Sequence, residues 1–230
     1  MDLMQALRTT GAVREFTDEP VTDAEVRQVL EAARFAPSGG NRQAWRVVVV
    51  KDPERRRQMR DLYLTGWYEY LAIGAAGLVP WAPITDRTAE DSAAERAAQM
   101  GPPAGDPGGF AEQLDRVPVL LVVLADLRSL AAVDRDLKRY TLVGGASIYP
   151  FVWSILLAAR AQGLGGVITT MHCREEPAVL DALGVAQGWA VAATVALGHP
   201  AREWPTRLRR AEVDQFTALD RFDGPPLGDS

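Results

Sequence analysis

The sequence predicts a single α+β domain in which helices pack on buried strands, and three observations predict it. Runs rich in Val, Leu, Ile and Ala at 46–51, 117–126, 167–171 and 190–197 have the length and apolarity of largely buried strands. Before and between them lie segments with apolar residues three and four apart, as at 22–35 and 143–162. The chain has 230 residues, 47% hydrophobic and 24% charged, which suffices for one substantial core and falls short of two.

Taken in order, residues 2–9 read as a short helix with Leu3, Ala6 and Leu7 on one face, ending at Gly11. Asp23 to Phe35 is an amphipathic helix, with Thr22 or Asp23 as its N-cap and Glu25 in the first turn. The run 46–51 reads as a strand buried on both faces. Asp52 and Pro53 open the next helix as cap and first position. That helix begins with Arg55, Arg56, Arg57 and Arg60, a solvated face given Glu54, Asp61 and Glu69, and ends in Tyr63, Trp67, Tyr68 and Tyr70, which can wall a pocket.

Residues 74–109 are dense in Gly and Pro and read as a mobile insertion or lid, with a helix at 89–99. Pro118 stands near the start of the second strand, where a sheet tolerates it. In 143–162 Pro150 marks either a first turn or a kink, and Gly163-Leu164-Gly165-Gly166 caps the helix and leads into the third strand. Pro177 starts a short helix over 175–183, Ala190 to Leu197 is the last strand, and from about Arg202 the chain becomes an extended polar arm.

The net charge of −5 argues against nucleic-acid or anionic-membrane partners, which need clustered positive charge. The single cysteine, Cys173, makes no internal disulfide and fits a cytoplasmic protein. The N-terminus has no apolar stretch of a signal peptide. Thr141 to Ala159 carries no charge, but Gly144, Gly145, Ser147 and Pro150 dilute its hydrophobicity, so it reads as a core or subunit-interface helix rather than a membrane span.

The richest stretch for chemistry is Ala36-Pro37-Ser38-Gly39-Gly40-Asn41-Arg42-Gln43-Ala44-Trp45, a helix-to-strand turn. Pro37 stops the helix, Gly39 and Gly40 allow positive φ, and Ser38, Asn41, Arg42 and Gln43 offer four hydrogen-bonding side chains above Trp45. Elsewhere the usual constellations are missing. His172 and His199 have no metal-ligand or triad spacing and read as structural or surface residues; there is no P-loop and no nucleophile elbow. The glycines at 163–166 follow a helix and precede a strand, the reverse of a dinucleotide-binding loop.

This turn, together with Glu15-Phe16-Thr17-Asp18-Glu19-Pro20-Val21 and Leu30-Glu31-Ala32-Ala33-Arg34 before it and the Val run after it, resembles the N-terminal signature of the nitroreductase family of FMN-dependent oxidoreductases over residues 9–50. A second block, Leu156 to Arg160, Gly163 to Gly166 and Ala196-Leu197-Gly198-His199-Pro200, resembles the same family's central helix and last strand. The resemblance implies a three-layer sandwich with a central mixed sheet, forming an intertwined homodimer with FMN at the interface. It also implies ping-pong chemistry in which NAD(P)H reduces the flavin at N5 and an electron-poor acceptor, such as a nitroaromatic or quinone, is then reduced.

On that resemblance, Pro37, Ser38, Gly39, Asn41 and Gln43 contact the flavin ring from the partner subunit. Thr169, Thr170 or Met171 presents a backbone N–H to N5, although two threonines at a strand end also suit a plain strand. The family's phosphate pattern Arg-Arg-Ser-x-Arg-x-Phe corresponds here to Thr10, Gly11, Ala12, Val13, Arg14, Glu15 and Phe16. Only Arg14 and Phe16 are kept, so the cradle is thin: a Thr10 hydroxyl and the N–H groups of Gly11 and Ala12. Arg207, Arg209 and Arg210 are available from the arm, with Arg207 and Arg210 the candidate phosphate ligands. No catalytic side chain and no metal are expected, because a flavin carries the redox chemistry itself. The same fold and flavin also serve substrate dehydrogenation, dehalogenation or flavin cleavage, and the thin phosphate site suits a non-catalytic flavin binder as well.

Overall fold

Four strands form one sheet in the order β1-β2-β4-β3, with β1 at Trp45–Val49, β2 at Val119–Asp126, β3 at Gly165–Thr169 and β4 at Trp189–Gly198. The structure is a computed structural model and describes residues 2–100, 109–205 and 207–228. The helices are α1 (Leu3–Thr9), α2 (Asp23–Ala33), α3 (Pro53–Ala75), α4 (Arg87–Met100), α5 (Tyr149–Ala161) and α6 (Glu176–Ala182). All three strand pairings are antiparallel, and the parallel component expected of a mixed sheet is one isolated bridge, Ala12 to Gly166.

The sheet carries a core on each face, as the α+β pattern requires. On one side Leu121, Val123, Val195 and Leu197 pack with Val29 of α2 and Val152 and Ile155 of α5. On the other Leu120, Val122, Leu124 and Ala196 pack with Met59 and Tyr63 of α3 and Val179 of α6. β2 is buried almost throughout, but β1 is not: Arg46 and Val49 are exposed, because β1 is an edge strand, a placement its apolar sequence does not reveal.

Local signals fix the helix ends. Thr22 caps α2 in a reciprocal capping box, taking the Glu25 N–H at 3.3 Å while Glu25 Oε2 takes the Thr22 N–H at 2.7 Å. Asp52 caps α3 through the Arg55 N–H at 2.9 Å. Pro150 lies in the first turn of α5 rather than at a kink, preceded by a 3-10 turn, Val143–Ser147. Gly163 ends α5 at φ +80°. The central helix belongs chiefly to this chain's own core, leaving Tyr149 and Trp153 outward. No helix among the described residues is long and apolar enough to cross a membrane.

The basic start of α3 is a solvated face only in part: Arg55 and Arg57 are exposed, whereas Arg56 and Arg60 are half-buried. Arg56 Nε donates to the Asp115 carbonyl at 2.8 Å and its Nη2 to that of Val117, Arg55 Nη1 bonds the Ala182 carbonyl, and Arg60 pairs with Asp115 at 3.1 Å. These arginines satisfy carbonyls that loops leave without a ladder partner, and so fasten α3 to the segments before β2 and after α6. In the 74–109 stretch the expected helix exists as α4; the Gly- and Pro-rich residues 101–108 of the expected lid lie outside the described residues.

Candidate functional site

The turn between α2 and β1 has the unusual backbone that its glycines foreshadow. Gly40 (φ +60°), Asn41 (φ +52°) and Gln43 (φ +49°) are all left-handed, a conformation that costs energy for residues other than glycine and clusters at ligand sites. The surroundings hold it. Gln43 N–H donates to Ser38 Oγ at 3.0 Å, Gly39 N–H to Ser147 Oγ at 3.0 Å, and Gln43 Nε2 to Asn41 Oδ1 at 3.1 Å. Trp45 closes the base by stacking on Phe151 of α5, with ring centroids 4.6 Å apart and planes 3° from parallel. Pro37, Gly39, Asn41 and Gln43 are exposed and Ser38 half-buried, so the turn presents its polar groups outward.

The N-terminal segment lies elsewhere. Val13 N–H donates to the Gly166 carbonyl at 2.9 Å and Thr17 N–H to that of His199 at 2.9 Å, placing residues 12–17 beside the Gly198 end of β4. Small residues permit this approach. A Cβ on Gly165 would come within 2.8 Å of Val13, and one on Gly198 within 2.8 Å of Phe16. The turn meets the opposite end: Trp45 pairs with Ala125, which pairs with Ala190, and Asp126 N–H reaches the Ala44 carbonyl at 2.9 Å. Between Ala190 and Gly198 a strand runs roughly 26 Å at about 3.3 Å per residue. One chain therefore separates the 37–43 turn from the N-terminal segment.

Within the N-terminal segment the candidates differ. Thr10 is buried and its Oγ1 has no partner, an orphaned hydroxyl of the kind a ligand satisfies. Gly11 does not face open space: a Cβ there would stand 3.2 Å from Leu208 of the arm. Ala12 forms the bridge to Gly166. Arg14 is exposed and faces a cavity of about 680 Å³. The arm crosses residues 8–11, with Leu208 N–H on the Arg8 carbonyl at 3.0 Å and Trp204 under the Arg160 guanidinium at 3.5 Å, so neighbouring Arg207 is brought to the segment. Arg210 turns back, its Nη1 on the Arg209 carbonyl at 2.7 Å.

At the end of β3, Thr169 is half-buried and donates through Oγ1 to the Tyr63 hydroxyl at 3.2 Å, while Thr170 is exposed. Burial pushes the Tyr63 phenol up, with the Thr169 hydrogen bond a smaller opposing effect, so it stays neutral. The sequence marks Tyr63 as able to wall a pocket but not its place beside Thr169, which lies 106 residues on. His172 fixes the loop that follows. Its Nε2 lies 2.8 Å from the Met59 carbonyl, which only accepts, so Nε2 carries the proton and Nδ1 accepts from Thr194 Oγ1 at 2.7 Å. It is fully buried and structural. His199 is half-buried, 3.8 Å from Glu19. The Cys173 thiol is pushed up to about 11, chiefly by burial of its sulfur, and donates to the Val191 carbonyl, so it is no thiolate nucleophile. Among the described residues no group of three or more His, Cys, Asp or Glu could hold a metal ion.

Comparison with known proteins agrees with this fold. The Nitroreductase family pattern matches residues 7–199. The NADH dehydrogenase of Thermus thermophilus is 30% identical over 205 residues, covering 88% of this chain and 89% of that protein. The putative NADH dehydrogenase/NAD(P)H nitroreductase of Archaeoglobus fulgidus is 24% identical over 224 residues, covering 96% of this chain and 94% of that protein. The solved structure of the NADPH:FMN oxidoreductase from Vibrio harveyi complexed with NAD+ shares the fold, with a TM-score of 0.65 at 19% identity over 96% of this chain and 77% of its own. With the family matched across most of its length, this chain belongs to the nitroreductase family.

Proposed function

We propose that this chain is an NAD(P)H-dependent FMN oxidoreductase that works as a homodimer and reduces an electron-poor small molecule, such as a nitroaromatic or a quinone. The observation that carries the proposal is the 37–43 turn, whose left-handed backbone at Gly40, Asn41 and Gln43 is held by its neighbours while its polar groups point outward. The names of the relatives favour nicotinamide donors. A soluble, cytoplasmic setting fits the single Cys173 and the balance of charge.

The residues present fit FMN. Arg14 and Arg207 supply positive charge for the phosphate, and the Thr10 hydroxyl, buried without a partner, is a further donor on the same segment. Pro37, Ser38, Gly39, Asn41 and Gln43 offer contacts and donors to a ring, and the Thr169–Thr170 strand end an N–H at its rim. Bound there, FMN would supply the redox chemistry by taking up and releasing hydride. The protein's part is to bind, to orient, and to keep Tyr63 neutral as a hydrogen-bonded wall beside Thr169.

A dimer follows from the separation along β4: the turn of one copy must meet the N-terminal segment of the other. Exposed apolar side chains supply material for such an interface. Leu3 and Leu7 face outward on α1, Tyr149 and Trp153 on α5, and Phe216 and Phe222 on the arm.

The function is tested by following NADH and NADPH oxidation by the FMN-loaded protein with and without a quinone. Quinone-dependent turnover supports it, whereas flavin binding without turnover identifies a flavin-binding protein instead. Arg14→Ala should weaken FMN by about one to two orders of magnitude, the worth of one charge-assisted phosphate contact, and leave riboflavin nearly unchanged. Equal weakening of both flavins would remove Arg14 from the phosphate.

A further inference from the structure

The cavity of about 680 Å³ that Arg14 faces opens between residues 14–18 and the loop before β2, and a second arginine, Arg116, lines it. Its size is that of a small-molecule site. Neither arginine is in an ion pair among the described residues. The nearby acids are largely engaged: Glu15 is paired with Arg202 at 2.7 Å and Asp115 with Arg60 at 3.1 Å, which leaves Asp18 as the lining carboxylate outside a pair.

The backbone around Arg116 is held firmly. Its N–H donates to the Gln113 carbonyl at 2.8 Å, and Arg56 grips the carbonyls of Asp115 and Val117 on either side. A guanidinium on a fixed backbone, uncompensated and facing a cavity, is suited to a phosphate. The remaining walls include Phe16, Phe110 and Pro118, apolar surfaces on which a planar base can lie. Phe110 also meets Tyr63 edge-to-face at 6.2 Å, and the Tyr63 hydroxyl bonds Thr169. The cavity is thus separated from the strand end assigned to the flavin by one layer of side chains.

A ligand that carries a base and a phosphate and must also reach the flavin is a nicotinamide dinucleotide. We propose that this cavity binds the adenosine end of NADPH, and that Arg116 holds its 2′-phosphate and so selects NADPH over NADH. The proposal rests on the oxidoreductase reading above, leaves Arg14 to the flavin's phosphate and gives Arg116, a residue outside the flavin's own ligands, to the donor's.

The test compares wild type with Arg116→Ala and Arg116→Lys. In the FMN-loaded enzyme, Arg116→Ala should raise the KM for NADPH about 10- to 100-fold while the KM for NADH stays within about twofold, with Arg116→Lys intermediate. FMN affinity should not change. A second arm needs no turnover: by calorimetry, wild type should bind 2′,5′-ADP at least about tenfold more tightly than 5′-AMP, and Arg116→Ala should lose that preference. Equal effects on both donors, or no preference for 2′,5′-ADP in wild type, would overturn the proposal. So would a loss of FMN but not riboflavin affinity in Arg116→Ala, because the cavity would then hold the flavin's phosphate. If neither donor is oxidised at all, the oxidoreductase reading fails and the calorimetric arm decides the subsite alone.

Discussion

Diluting the protein until its subunits part should strip it of flavin. The turn at 37–43 and the segment at 10–14 lie at opposite ends of β4, so under the proposed assignment an isolated chain offers a flavin only half of its contacts. Three neutral hydrogen bonds lost from the turn, at about 1 kcal/mol each, lower affinity by about two orders of magnitude, before any loss of apolar contact is counted. Sedimentation followed at the flavin's absorbance should show colour in the dimer and none in the monomer. A monomer carrying one flavin per chain would show that a single chain can build the site.

The second large effect is on stability. Burial pushes His172 down to about 4 from its ordinary 6.5, the Met59 carbonyl opposing that shift weakly. For a base with a lowered folded-state pKa, the unfolded chain takes up the proton first, so stability is complete above about pH 6.5 and falls as the pH drops toward 4. At 1.36 kcal/mol per pH unit the loss reaches about 2 kcal/mol near pH 5 and about 3 kcal/mol near pH 4. Urea midpoints should drop accordingly in wild type. In His172→Gln, which is less stable at neutral pH, the portion between about pH 6.5 and 5 should vanish. An unchanged slope in that variant would show that His172 is not the group responsible. The consequence reaches the site, because His172 ties the loop after Thr169 and Thr170 to Met59 of α3.

Much of this was legible because it is local. The caps at Thr22 and Asp52 and the glycines at 40 and 163 each depend on residues a few positions apart, and each took the expected form, whereas Gly39 stayed out of the left-handed region and Asn41 and Gln43 entered it. What depends on partners far away in sequence was not. Arg55, Arg56 and Arg60 read as a solvated face, but their acceptors lie at 115, 117 and 182. Strand β1 reads as buried because its valines do not reveal that it lies at the sheet's edge. Gly11 stands where the family places an arginine, yet only the fold shows Leu208 of the arm covering it. Tyr63 reads in the sequence only as able to wall a pocket and Arg116 carries no motif; the packing of α3 sets the one beside Thr169, and the loop before β2 sets the other at the cavity.

If each flavin is held by the turn of one copy and the N-terminal segment of the other, two chains damaged in different halves of the site should complement each other in a mixed dimer. A chain carrying Arg14→Ala and a chain carrying Ser38→Ala with Asn41→Ala are each prepared alone, and the pair is also co-expressed. FMN is held at a level that fills wild type and leaves either variant empty. In a random mixture half of the dimers are mixed, and each mixed dimer has one undamaged site, so FMN quenching should recover to about a quarter of the wild-type sites. A mixture that binds no more flavin than its two components would contradict a site shared between subunits.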